Sequence, residues 1–317
     1  MSTVTFPGLG LTLHLNRVAF SIGTFHVYWY GIIIALGFFF GVAFCCAQAK
    51  KFGLKPDDIL DMIIFAAPGG IIGARLYYIF FNPDLYRNPD GSWSLAACLS
   101  TRNGGLAIYG GIIAGVFIAW LVARYKKIPF PALADVCAFG LLIGQIAGRW
   151  GNFMNVEAYG GPTDLPWRMG IEVGGEYMEV HPTFLYESLW NLVGFCLLVW
   201  LLRKGIRTFD GMYFLLYVAW YGLGRGWIEG LRTDSLYFFS TGIRTSQMVA
   251  LLSCVVAVVL LLCKMRTHPS PEALYVNRKK RCCPNQQYVY IIRYRNYERI
   301  CNFRSAGRNS GIGRSHH

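Results

Sequence analysis

Acidic residues and paired cysteines are scarce in this sequence. Asp and Glu number 17 against 30 Lys and Arg in 317 residues, and all charged types together reach only 15%. A soluble globular domain carries about a quarter charged residues, so an ordinary soluble enzyme is excluded. The ten cysteines (Cys45, Cys46, Cys98, Cys137, Cys196, Cys254, Cys263, Cys282, Cys283, Cys301) are scattered, mostly inside apolar runs. They form no CxxC pair, and none has a histidine at metal-ligand spacing, so they read as small buried hydrophobes and no metal is expected. HExxH, a serine–histidine pair and paired intramembrane aspartates are also missing, which removes the usual intramembrane proteases. The first 25 residues lack the basic start and continuous apolar stretch of a cleavable signal, so insertion is expected to rest on the spans themselves. No internal repeat is visible.

Apolar residues are abundant, at 54% of the chain. Several runs exceed the roughly 18 residues that mark a membrane span. Spans are expected near 27–48, 59–81, 105–124, 132–149, 183–202, 211–229 and 245–263. The fourth is short and interrupted by Gly144 and Gly148. The fold class is therefore all-α, a polytopic membrane protein of about seven transmembrane helices. Lysine and arginine follow every odd-numbered span: Lys50, Lys51 and Lys55; Arg124, Lys126 and Lys127; Arg203, Lys204 and Arg207; Lys264 and Arg266. Cytoplasmic loops carry that excess, which predicts an outside N-terminus and a cytoplasmic C-terminus.

The opposite segments, 82–104 and 150–182, are rich in Gly, Pro, Asn, Asp and Trp, as irregular external segments are. Composition shifts near residue 267. A transmembrane domain over 1–266 is followed by a basic tail over 267–317, with ten Lys or Arg against two Glu. Its run Arg278-Lys279-Lys280-Arg281 would face anionic membrane lipids, and the tail is expected to be largely disordered. Nothing points to a nucleic-acid partner.

Four arginines lie against the charge bias. Arg75, Arg149, Arg225 and Arg232 all fall at the external ends of spans two, four and six. An arginine at membrane depth costs at least a few kcal/mol unless it is paired or hydrated. Glu157, Glu187 and Glu229 lie at similar depth, but the arginines outnumber them, and phosphate suits the arginine fork. Tyr221, Arg225 and Glu229 are spaced i, i+4, i+8 on one helix face. Arg149 and Asn152 share a face at i, i+3 in the segment Gly148–Glu157. On span three, Tyr109 sits about one turn in from outside, flanked by Gly110 and Gly111; an interfacial tyrosine is often only a belt residue. His181, before Pro182, reads either as a loop histidine held by backbone or as a base. An anion transporter would need charge continuing inward, yet Asp61 and Asp135, the inner-half candidates, lie at the cytoplasmic ends.

Six ordered segments resemble the prolipoprotein diacylglyceryl transferase family across roughly residues 15–266. They are Tyr28-Trp29-Tyr30-Gly31; Gly73-Ala74-Arg75-Leu76-Tyr77-Tyr78; Gly104-Gly105 through Tyr109-Gly110-Gly111; Gly148-Arg149 through Glu157; His181-Pro182 through Tyr186-Glu187; and Tyr221 through Arg232. The resemblance implies a seven-helix enzyme of the bacterial plasma membrane with its site toward the outer leaflet. Such enzymes move the diacylglyceryl group of phosphatidylglycerol to the lipobox cysteine thiol of a prolipoprotein signal peptide and release glycerol phosphate. No cofactor is implied. By the same resemblance Arg149 and Arg225 grip the phosphate, with Tyr109 and Glu157 completing the catalytic set. Tyr30, Arg75, Asn152, Gly110, Gly111, Tyr221, Glu229 and Arg232 are implied to bind substrate, with a structural role left open for Arg75 and Arg232. Many members carry histidine where this chain has Tyr109, and tyrosine, with a pKa near 10, is a poor base at neutral pH. Tyr109 is therefore expected to hydrogen-bond substrate, while activation by arginines or proton uptake by Glu157 stays open.

Overall fold

The computed structural model describes residues 2–88, 90–100, 104–233, 244–267 and 270–282. Among these residues seven long helices occur where the apolar runs predict them: α1 (Trp29–Gln48), α2 (Pro56–Phe81), α4 (Ile108–Tyr125), α5 (Phe130–Asn155), α6 (Thr183–Lys204), α7 (Met212–Ile228) and α8 (Thr245–Arg266). Two short ones, α3 (Leu95–Leu99) and α9 (Tyr275–Cys282), lie outside those runs. Six of the long helices are long and apolar enough to cross a membrane; α7, at 17 residues, is shorter. The fourth span continues to Asn155, beyond the expected end at 149. Gly144 and Gly148 do not break it, and Gly151 near its end admits a neighbour: a Cβ there would lie 2.9 Å from the Tyr30 ring.

Without a hydrophobic force between helices in lipid, small residues that let backbones approach supply the packing. A Cβ at Gly73 would lie 2.2 Å from Ala114 Cβ, and one at Gly110 would lie 2.3 Å from Tyr77 Cβ. These positions fuse α2 to α4. Gly37 does the same for α1 against Ala147 of α5 (2.4 Å), and Gly222 for α7 against the Ala250 carbonyl of α8 (2.6 Å). Large apolar side chains such as Phe39, Ile64, Ile113 and Leu252 point outward, as lipid-facing residues do.

One end of the bundle is basic. There Asp135, fully buried near the start of α5, accepts from Arg207 Nε (3.1 Å) and from the amides of Gly211 (2.8 Å) and Phe214 (2.9 Å). Arg207 also donates to Asp210 (2.7 Å) and stacks over the Phe52 ring at 4.4 Å. Asp61 and Asp58 bind Lys126. Asp61 foremost holds that ammonium above its ordinary pKa; burial opposes it, and Asp58 adds to the rise. Both inner-half aspartates are thus committed to structural ion pairs. The same end receives α9, which packs on the bundle through buried Leu274 and Val276 and through the Tyr275 amide on Asp210 (3.0 Å). Packing therefore continues past the expected domain end at 266, while 283–317 lies outside the described residues.

The other end carries β-structure that an all-helical reading does not contain. β1 (Ser2–Phe6), β2 (Leu11–Leu15), β5 (Met169–Val173) and β6 (Glu176–Val180) form an antiparallel sheet in the order β2-β1-β5-β6. A separate hairpin joins β3 (Val18–Ile22) to β4 (Phe25–Tyr28). Alternation in Ser2-Thr3-Val4-Thr5-Phe6 turns Val4 and Phe6 inward, and Val4 pairs with Ile171. Phe6 lies 6.5 Å from Phe153, which stacks on Phe184 at 4.5 Å. The sheet thereby seats on the ends of α5 and α6, beside the arginines.

Candidate functional site

Three helices bring their charges together at the sheet end. Glu187, in the first turns of α6, is only 3% exposed. Its Oε2 lies 2.9 Å from Arg149 Nε of α5, and its Oε1 accepts from Arg225 Nη1 of α7 at 2.6 Å. Arg232 Nη1 lies 3.5 Å from the same Oε1. Arg225 also pairs with Glu229, 2% exposed, at 2.6 Å, as the i, i+4 spacing predicts. Arg244, at the start of α8, donates to the Glu229 carbonyl. Buried carboxylates are stable here only because several guanidinium groups surround them. Glu187 is the hub of the cluster. The sequence placed it at this depth, but nothing local showed that three arginines converge on it.

Asn152 extends the cluster outward. Arg149 Nη1 donates to Asn152 Oδ1 (3.1 Å), and Asn152 Nδ2 donates to Glu157 Oε1 (2.7 Å). Asn155 Nδ2 reaches the same oxygen at 3.4 Å. The chain folds back at the end of α5 because Val156 and Ala158 adopt left-handed backbone, φ 53° and 58°. For a β-branched residue this conformation costs about 1–3 kcal/mol and persists only where surroundings enforce it. The Thr183 hydroxyl on the Ala158 carbonyl (2.5 Å) is one such restraint. The strained turn carries Glu157 over the helix end, where it is exposed.

Glu157 lines a groove of about 680 Å³ that also includes Tyr30, Tyr28, His26, Arg17 and Asn155. Tyr30 and Glu157 thus line the same groove. Tyr221 lies one turn below Arg225, within electrostatic reach of Arg225, Glu187, Arg149 and Glu229. It stacks on Tyr217 at 6.0 Å, whose hydroxyl accepts from Gln145 (2.9 Å).

Other expected residues lie elsewhere. A guanidinium has five N–H donors, and Arg75 engages backbone carbonyls with all of them: Cys98 (2.9 Å), Gly104 (2.9 Å), Gly105 (2.8 Å), Ala97 (2.8 Å) and Ser100 (2.5 Å). Its charge also faces the Tyr86 ring at 4.8 Å. No donor is left for phosphate, so Arg75 anchors the segment between α2 and α4. Gly110 and Gly111 face Tyr77, Gly73, Gly70 and Ala74 of α2 and serve helix packing. Tyr109 is half-buried on the first turn of α4, and its hydroxyl makes no hydrogen bond to another described residue. His181 sits 3.4 Å from the Tyr186 hydroxyl, with its backbone held by Gly160 and Gly161.

Arg149 contrasts with Arg75. Its Nε and Nη1 are engaged, but Nη2 meets no acceptor among the described residues. A partly exposed guanidinium with N–H groups to spare, beside Arg225 and next to a groove, suits an oxyanion.

Fold and site together define a polytopic membrane protein whose buried arginines gather at one end of its bundle. The family model for prolipoprotein diacylglyceryl transferase matches residues 17–263, and the chain belongs to that family. A relative from Enterococcus faecalis is 41% identical over 277 residues, 84% of this chain and 95% of its own. Relatives from Oceanobacillus iheyensis (41% over 263 residues, 80% and 89%) and Finegoldia magna (42% over 246 residues, 78% and 94%) are similar. All three are named phosphatidylglycerol–prolipoprotein diacylglyceryl transferase.

Proposed function

We propose that this enzyme transfers the diacylglyceryl group of phosphatidylglycerol to the lipobox cysteine of prolipoprotein signal peptides, the first step of lipoprotein maturation. The observation that carries the reading is Nη2 of Arg149, which meets no acceptor among the described residues, within the Glu187 cluster. Arg149 and Arg225 receive the phosphodiester. The cysteine sulfur attacks the glycerol carbon that bears the phosphate, a C–S bond forms, the C–O bond breaks, and glycerol phosphate leaves. Fixed cationic donors stabilise the charge developing on that leaving group. The thiolate is the nucleophile, and Glu157, on the groove wall with Tyr30, takes the thiol proton. Tyr109 touches substrate without exchanging a proton. Tyr221, Arg232 and Glu229 hold the cluster from below and behind, and Asn152 fixes the distance between Arg149 and Glu157.

Seven crossings, with α7 as the shortest, leave the two ends of the helical region on opposite sides, and in this reading the N-terminus is outside and the arginine cluster in the outer leaflet. The gathering of Lys50, Lys51, Arg124, Lys127, Arg203 and Lys264 at the opposite end supports this orientation. The test is glycerol phosphate release by purified protein in detergent, given phosphatidylglycerol and a lipobox peptide. Release that requires the peptide thiol and collapses in Arg149→Ala and Arg225→Ala establishes the reaction. Folded wild type that releases none overturns it.

A further inference from the structure

A second cationic cavity, of about 690 Å³, lies at the basic end. α5, which separates the two ends, is 26 residues long and so spans about 39 Å. The cavity belongs neither to the arginine cluster nor wholly to the family-matched region, because one wall is α9, beyond residue 263. Arg124 and Lys127 form the first wall, on the tight turn between α4 and α5; Arg278 and Lys279 form the second. Lys127 adopts left-handed backbone (φ 56°), and its amide donates to the Arg124 carbonyl at 3.2 Å, which keeps both cations on one turn.

These four like charges have almost no protein counter-charge. Among the described residues Arg124, Lys127 and Lys279 have no carboxylate within ion-pair distance. Arg124 faces only the Trp120 ring (5.9 Å), and Lys279 the Gly53 carbonyl (3.0 Å) and the Tyr275 ring (5.7 Å). Arg278 lies 3.5 Å from Asp210, which is already engaged by Arg207 and the Tyr275 amide. Lys126, the neighbouring cation, is neutralised by Asp58 and Asp61 and is not among the residues that line the cavity. Four charges converging on one concave space favour an anion. Ile128 and Pro129 add an apolar flank. One turn back along α4 from Arg124, exposed Trp120 and Leu121 lie on the lipid-facing part of the helix.

We propose that this cavity binds the phosphate of an anionic phospholipid in the leaflet opposite the arginine cluster. The headgroup bridges the α4–α5 turn to α9, and the acyl chains continue along α4. Two of the cations are on α9, so the bound lipid clamps α9 to the bundle. A polybasic surface at a membrane attracts anionic lipid in general; here an open concave site with cations on two elements adds a structural response.

The test is hydrogen exchange of the full chain in a neutral maltoside detergent, read at the amides of residues 275–279. Dioctanoyl phosphatidic acid serves as the probe, because phosphatidylglycerol would also occupy the arginine cluster. At about ten times its Kd, the lipid should slow exchange about tenfold. Dioctanoyl phosphatidylcholine should leave it unchanged. The variant R124Q/K127Q, altered on the wall that faces α9, should lose the response. No slowing in wild type, equal slowing by phosphatidylcholine, or a full response in R124Q/K127Q overturns the proposal. Equal slowing by inorganic phosphate makes the occupant a soluble anion and overturns the lipid assignment. If R124Q/K127Q loses protection throughout α5, Lys127→Gln alone decides by the same criteria.

Discussion

Replacing Glu187 by glutamine removes one charge and one acceptor from the point where α5, α6 and α7 meet. The carboxylate engages Arg149 through Oε2 at 2.9 Å and Arg225 through Oε1 at 2.6 Å, with Arg232 at 3.5 Å. Glutamine keeps one acceptor and turns an NH₂ group toward a guanidinium. Removing one partner of a buried ion pair costs about 3–5 kcal/mol. If the lower figure falls on the geometry of the phosphate donors, at 1.36 kcal/mol per tenfold, transfer drops about 150-fold. The assay is glycerol phosphate release from phosphatidylglycerol at saturating peptide, with the Tm of each variant recorded in the same detergent. Glu187→Asp, which keeps the charge but shortens the side chain, should fall between wild type and glutamine. A folded Glu187→Gln retaining more than about a tenth of wild-type turnover would refute the view that Glu187 sets the arginine geometry.

Arg149→Lys replaces a fork by a point charge and should raise KM for phosphatidylglycerol about tenfold or more, measured by the same release assay. Tyr109→Phe should keep more than about one per cent of activity; a lower value would assign the tyrosine a proton-transfer role. Arg75→Lys leaves at least two of five carbonyls without a donor, a loss of about 2–6 kcal/mol at 1–3 kcal/mol each. Limited proteolysis should then cut between 94 and 105 under conditions that spare wild type. Gly110→Val places a Cβ 2.3 Å from Tyr77 Cβ and 2.5 Å from the Gly73 carbonyl. It should cost about 1–3 kcal/mol by overpacking, read as a lower Tm; an unchanged Tm would mean that α2 and α4 separate easily.

The long helices were legible because an apolar run of membrane length has few alternatives. The end of α5 was not, since Gly144 and Gly148 read locally as breaks, whereas the helix runs through both and on to Gly151, which makes room for Tyr30 of α1. The small sheet escaped because strands of four or five residues leave a short pattern, and β1 pairs with β5 across more than half the chain. At the site, Arg149, Asn152, Glu157, Arg225 and Glu229 stand together as motif and depth predicted. Arg75 shared their sequence signature, a stranded arginine at an external helix end, but satisfies it with carbonyls. Sequence gives the cost of a buried charge; which group offsets it depends on chain segments that meet only after folding.

The Glu187 hub also bears on how this protein enters the membrane. Taken singly, α6 would carry a carboxylate and α7 an arginine into the bilayer, each against its own insertion. Side by side they neutralise each other through Glu187–Arg225, and the stacked indoles of Trp190 and Trp220 (4.4 Å) lock the same pair, each donating to the other's carbonyl at 2.9 Å. The two segments should therefore leave the translocon as one hairpin. A mutation that abolishes the pair would then show its first effect as a topology defect during synthesis, before any substrate is met.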